Sequence, residues 1–289
     1  GVYDCLFTGR SVNNLTLHGY GATLRMHKAD YIGPDYTHSE WRSCLWFTGA
    51  KNLAVRGLRC EYSGGDGIWL HYGYDAYGHR FPSENVVISD CVCDHNYRQG
   101  ISVTGVRTLR ITNCVLTNSG GNAPESGLDI ETDFDDGELT DIVVSNCVAQ
   151  NNAGFGFFVQ TKTLTAAAPP FSVRFENCQA LGNHSFGLGA MSLVNGPAGL
   201  VEYRNCIVDG GGAPGIHVNW NSPLSQVRFT DCVVQNIGGA SPLTGVPINV
   251  AMPHVPELSA DGRVRFDGCV VYDTGNRHFL GLGPAEPGR

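Results

Sequence analysis

Hydrophobic and polar positions alternate along this chain in short runs that recur. One run reads NLAVRGLRC (52–60), NVVISDCVC (85–93), TLRITNCVL (108–116), DIVVSNCVA (141–149), SVRFENCQA (172–180), LVEYRNCIV (200–208), QVRFTDCVV (226–234) and RVRFDGCVV (263–271). NLTLHGYGATL (14–24) is a weaker first copy. Successive full copies begin 23 to 37 residues apart. Each is an apolar alternation, then Asn, Asp or Gly, usually a Cys, and a second short alternation. A period of two predicts strand. Between the copies lies a second motif: a small residue, an apolar one, any residue, an apolar one. It reads CLWF (44–47), GIWL (67–70), GISV (100–103), GLDI (127–130), GFFV (156–159), GLGA (187–190), GIHV (215–218) and PINV (247–250). Each repeat therefore predicts three short strands, and no stretch sustains a helical period.

Strands this short cannot bury themselves, but stacked coil on coil they bury one continuous core. The expectation is an all-β chain: a single-domain right-handed parallel β-helix of about nine or ten coils spanning 1–289. Insertions at 26–42, 71–85, 132–141, 161–172 and 251–263 fall between strands. A β-sandwich is the alternative, but it has no reason to repeat one column of residues. Seven of the 11 cysteines occupy such a column: Cys91, Cys114, Cys147, Cys178, Cys206, Cys232 and Cys269. The reading is a buried ladder of small hydrophobes rather than disulfides or a structural zinc, which need clustered, facing thiols.

These motifs resemble the pectate-lyase-like superfamily of parallel β-helix proteins, over nearly the whole chain. In that family the first strand of each coil lies along a substrate cleft. The GI-x-V motif is similar to that strand and the NVVIS-type run to the second. Asn113, Asn146, Asn177 and Asn205 match the family's turn ladder, with Asp90 and Asp231 standing in at two turns. The resemblance implies a carbohydrate-active protein. The GGDG segment holding Asp66 is similar to the place where polygalacturonases carry catalytic aspartates. Asp66 alone matches: the sequence has no NTD, QDD, GHG or RIK motif, and Gln99 stands at the site of the GHG histidine.

In each first strand, residues after the Gly alternate inward and outward. The outward positions make two columns: Trp46, Trp69, Ser102, Asp129, Phe158, Gly189, His217, Asn249, and Thr48, His71, Thr104, Glu131, Gln160, Met191, Asn219, Ala251. With coils about 4.8 Å apart, this is an elongated floor of aromatics, carboxylates, amides and His, suited to a linear polymer. Asp129 and Glu131 lie two apart on one strand, so both face out. Glycoside hydrolysis uses two carboxyl groups in different protonation states, and adjacent carboxylates push their pKa values apart. They are the expected catalytic pair, with Asp66 as a substitute partner. Trp46 and Trp69 read either as a stacking platform for sugar rings or as a satellite core covered by the 26–42 insertion. His71, Arg98, Gln160, His217 and Trp220 are further substrate-binding candidates. Arg98 reads equally as an acidic-sugar ligand or as an ion-pair partner of Asp66 or Asp129. Asp133, Asp135, Asp136 and Glu138 crowd one loop. That suits calcium or a merely solvated acidic turn. No cofactor is otherwise expected.

Charge narrows the partners. With 19 basic and 27 acidic residues the net charge is −8, which argues against nucleic acid and weakly against a highly anionic polymer. No apolar run reaches the roughly 18 residues of a membrane span. Gly1 follows no visible secretory signal, so the chain reads as either cytoplasmic or already trimmed; the expectation is a secreted or periplasmic protein, and the abrupt start suggests a missing cap or domain. The expected partner is a polysaccharide or oligosaccharide; oligomeric state is not legible. The leading expectation is a glycoside hydrolase. Its rivals are a polyuronate lyase or epimerase, whose base would come from His71, Tyr97, Arg98 or Lys162, and a non-catalytic glycan-binding or tailspike-like β-helix.

Overall fold

The computed structural model describes residues 1–193, 195–212, 214–238, 245–252 and 263–284. Three parallel sheets of ten, nine and nine strands run the length of the chain, and successive strands of one sheet come from successive coils. The chain is thus wound as a right-handed parallel β-helix of about ten coils. A two-stranded antiparallel hairpin, Gly73–Tyr74 with Arg80–Phe81, stands off in the 71–85 insertion. A single helical turn, Lys28–Tyr31, sits in the 26–42 insertion. Most of the 251–263 insertion lies outside the described residues.

The first sheet carries the GI-x-V motifs. Its inward residues, among them Leu45, Ile68, Ile101, Leu128, Phe157, Leu188 and Ile216, have no exposed surface and join one contiguous core. The motif's Gly is demanded by close approach. A Cβ on Gly100 would lie 2.5 Å from the Gly127 carbonyl oxygen, and one on Gly156 would lie 2.4 Å from that of Gly187. Both are well inside contact distance, so any side chain there would force neighbouring coils apart.

The Asn–Cys pair at the second turn has a separate cause. Asp90, Asn113, Asn146, Asn177, Asn205 and Asp231 all hold φ between 50° and 57°. Asn and Asp tolerate this left-handed region because their short polar side chains bond locally. The next residue then turns inward: Cys91, Cys114, Cys147, Cys178, Cys206 and Cys232 are buried free thiols. Each Sγ lies near the carbonyl two residues before it, for example 3.3 Å from Ser145 O for Cys147. A second inner ladder went unread in the sequence. Asn96, Asn152 and Asn183 are buried, and Asn152 Nδ2 donates to Asn183 Oδ1 at 2.9 Å and to Leu116 O at 3.1 Å.

Candidate active site

The outward columns of the first sheet align in the expected register: Trp46 pairs with Trp69, Trp69 with Ser102, Ser102 with Asp129, Asp129 with Phe158, Phe158 with Gly189, Gly189 with His217. Beside them runs a flanking column that period-two reading had not supplied: Asp66, Gln99, Ser126, Phe155 and Phe186 are joined coil to coil through the Gly that follows each. The 26–42 insertion walls the flank side, pinned by Lys28 Nζ, which donates to Asn96 O and Gly120 O. The 71–85 and 132–141 insertions wall the other side, where Tyr72 packs edge-on against Phe134 and its hydroxyl oxygen accepts from the Glu138 N–H.

Mid-floor, three carboxyl groups gather around one cation. Arg98 Nη2 donates to Glu131 Oε1 at 3.1 Å, Arg98 Nη1 lies 3.7 Å from Asp66 Oδ2, and Arg98 Nε lies 3.6 Å from Glu40 Oε2. Asp129 Oδ2 accepts from Gln99 Nε2 at 3.2 Å. Glu131 also accepts from Gln160 Nε2. Glu40, delivered by the HSEWR end of the 26–42 insertion, is a member of the cluster that sequence reasoning missed; it treated that segment only as a wall. Arg98 is therefore an ion-pair partner, shared among three acids.

Burial governs the electrostatics. Asp66 is 1% exposed and neither carboxylate oxygen has a hydrogen-bond donor among the described residues. Desolvation raises its pKa to about 7, against the pull of Arg98 and with help from Glu40 and Glu131. Asp129 has no exposed surface; burial, then the charge of Glu131, push it well above the carboxylate range. Glu131, its side chain 14% exposed, is raised by burial too, with Arg98 and the Gln160 amide opposing. Burial works against the charge on Arg98, but Asp66, Glu131, Asp129 and Glu40 more than offset it.

Several expectations are corrected here. Asp129 faces outward in register, yet its side chain is sealed beneath its neighbours rather than open to the cleft. Trp69 is 6% exposed, not a free surface. The tryptophans stack on one another at 5.2 Å, and Tyr3, itself stacked on Trp41, stacks on Trp46 at 5.7 Å. With its faces taken by Tyr3 and Trp69, Trp46 does not offer a stacking platform. Trp220 is 1% exposed, packs edge-on against Phe171 and donates from Nε1 to Ser225 O. Strand Ile216–Trp220 is five residues long, so its last position has the inward parity of Ile216 and Val218. Trp220 is core and does not line the cleft.

The remaining candidates sit as follows. His217 stacks on Phe186 at 4.4 Å, and its Nδ1 lies 3.1 Å from Asn249 Nδ2. Burial lowers its pKa to about 4, so it is neutral near pH 7. His71 packs tilted against Trp69, ring centres 5.0 Å apart, and lines a cleft of about 410 Å³ with Tyr3, Arg10, Trp46, Tyr72 and Tyr74. The acidic loop splays apart. Asp136 accepts from Arg80 at 2.7 Å, Glu138 accepts both Nε and Nη2 of Arg107, and Asp133 lies 3.7 Å from His71. Among the described residues no three His, Cys, Asp or Glu side chains converge as metal ligands.

Residues 4–128 match the family model described as "Right handed beta helix region". The chain is a right-handed parallel β-helix protein. This β-helix is 24% identical over 161 residues to the SPbeta prophage-derived uncharacterized protein YorA of Bacillus subtilis (strain 168), covering 52% of this chain and 27% of that protein. It is similar to the catalytic unit of a thermostable GH87 alpha-1,3-glucanase from Streptomyces thermodiastaticus strain HF3-3, with TM-score 0.46, 13% identity, and coverage of 92% of this chain and 52% of that one. It is also similar to tailspike protein gp49 of the Acinetobacter baumannii bacteriophage Fri1, a capsular polysaccharide depolymerase. There the TM-score is 0.43, the identity 11%, and coverage 93% of this chain and 48% of that one. The chain spans about half or less of the length of each of these proteins.

Proposed function

We propose that this β-helix is a glycoside hydrolase that takes a neutral polysaccharide or oligosaccharide along its first sheet. The observation that carries the reading is the convergence of Asp66 and Glu131 on Arg98 with Asp129 buried beside them, burial raising the pKa of each acid to a different extent. Glu131 accepts from Arg98 and Gln160, so its ionised form is the best supported of the three, as a base or nucleophile needs. Asp129, buried and beside that charge, keeps its proton as a general acid. Glu131 is the acid a glycan meets first. Asp66 is the alternative proton donor.

The charge of the site selects the substrate class. Arg98 is committed to three carboxylates, and Lys162 lies exposed in the 161–172 insertion. Neither is arranged to neutralise a uronate against this acidic floor. Tyr97 lies under the 26–42 insertion, its hydroxyl 3.2 Å from His38 Nε2. Of its candidate bases the polyuronate lyase reading thus loses Tyr97, Arg98 and Lys162 and keeps His71. A second reading, a non-catalytic glycan-binding β-helix, is favoured by one observation: Asp129 has no exposed surface.

The test is a panel of neutral and uronic polysaccharides read two ways. New reducing ends from neutral glycans without ultraviolet-absorbing unsaturated ends support the hydrolase. Unsaturated ends from a uronic polymer establish the lyase. Binding with neither product establishes the non-catalytic reading.

A further inference from the structure

The imidazole of His71 places Nδ1 between a hydroxyl and a carboxylate. Its Nδ1 is within hydrogen-bond distance of Thr104 Oγ1 and lies 3.7 Å from Asp133 Oδ2. A threonine hydroxyl has one proton, and that of Thr104 is directed at the Leu70 carbonyl, 3.2 Å away. With that proton on the Leu70 carbonyl, the Thr104 oxygen accepts and the imidazole N–H that donates to it is Nδ1–H. The Asp133 carboxylate on the same side favours the same tautomer. Nε2 keeps a bare lone pair. It has no protein partner among the described residues and is not enclosed. His71 lines the cleft of about 410 Å³ that also holds Arg10, Ser11 and Thr48. Thr104 separates it from Glu131 in the second outward column, so His71 lies two coils from Glu131.

We propose that this cleft is a sugar subsite in which His71 Nε2 accepts a hydrogen bond from a hydroxyl of an uncharged sugar ring while Arg10 donates to a ring oxygen. The proposal rests on the glycan-directed reading above and adds the recognition rule at one end of the floor. The pairing is complementary: Arg10 only donates, the Nε2 lone pair only accepts, and a sugar hydroxyl does both. A carboxylate would offer Nε2 no proton and would lie near Asp133. Trp46 and Trp69, stacked on each other, wall the subsite rather than forming its platform.

Protonation reverses the rule, because imidazolium Nε2 becomes a donor. The charged or titratable groups about the ring are Asp133 from the 132–141 insertion, Tyr72 next in the chain, Arg10 in the same cleft and Glu131 two coils on. Burial holds His71 below its ordinary pKa of 6.5, with Asp133 opposing. The neutral acceptor form is thus the one present near pH 7.

Nitrogen-15 NMR of the imidazoles in the whole chain tests the tautomer without a ligand. The expected result is a pyrrole-like Nδ1 and a pyridine-like Nε2 for His71; the reverse pattern overturns the proposal. Maltohexaose, cellohexaose and laminarihexaose are then titrated as neutral probes. At least one is expected to shift the Nε2 resonance. Its affinity should fall about tenfold as the pH drops through the His71 pKa measured by NMR, the scale of one lost hydrogen bond. His71→Phe keeps a ring without an acceptor and should bind weakly with no such pH step. His71→Asn, which restores only the donor to Thr104, should behave alike. Parental affinity in both variants overturns the proposal. Binding of none of the three probes, with the tautomer as stated, overturns the sugar assignment of this cleft, while the polysaccharide panel decides separately whether the acid cluster acts on a glycan.

Discussion

Replacing Asp66 by Asn should stabilise this protein, and only above a definable pH. Asp66 is 1% exposed, with two undonated carboxylate oxygens and its nearest Arg98 nitrogen 3.7 Å away. Desolvation raises its pKa from the usual 3.8 to about 7. A raised folded pKa means that the folded state binds this proton more tightly than the unfolded chain does. Stability then falls as pH rises from about 4 to about 7 and levels off above. At ~1.4 kcal/mol per tenfold, the charged form costs up to ~4 kcal/mol at pH 8 relative to the protonated form. Asparagine mimics the protonated carboxyl. Asp66→Asn should thus match the parent near pH 4 and exceed it by up to ~4 kcal/mol at pH 8. Urea unfolding of both proteins at the two pH values measures this. A variant equally destabilised at both pH values would refute the argument, because it would show that the Asp66 carboxylate is held by favourable contacts rather than kept against its desolvation. If Asp66 also serves catalysis, the stabilised variant will be slower, the trade expected where a site stores an unfavourable charge.

Three further outcomes are expected. Asp129→Asn and Glu131→Gln should each lower turnover on a substrate the parent cleaves by at least ~10²-fold with folding intact; near-parental rates in both would move the chemistry elsewhere. Trp220→Ala should cost ~3–5 kcal/mol of stability, as for a buried aromatic, and unchanged thermal unfolding would contradict its place in the core. Asn152→Ala should cost ~2–3 kcal/mol, because it strands the Ser119 N–H, which donates to Asn152 Oδ1 at 3.0 Å, inside the core; a loss below ~0.5 kcal/mol would mean that another group satisfies it.

The sequence alone determined the solenoid, its three sheets, the Asn–Cys turn and the outward columns of the first sheet. These follow from local rules repeated at every coil: a period of two fixes which side a residue faces, and the left-handed turn at Asn113 or Asn146 restarts the count for the Cys that follows. Trp220 was legible by the same rule, since it shares the parity of Val218, and its aromatic chemistry had been given more weight than its position. What period two does not carry is cover. Asp129 and Trp69 face outward, yet Asp129 has no exposed surface and Trp69 lies under Trp46, on which Tyr3 stacks, so only the tertiary structure decided that they are buried. Of the Arg98 cluster the sequence offered the pairing with Asp66, but Glu40 and Glu131 were out of reach, because they join it across coils and an irregular insertion whose path no periodicity encodes. The repeats specify a floor, and desolvation by irregular neighbours turns it into a site.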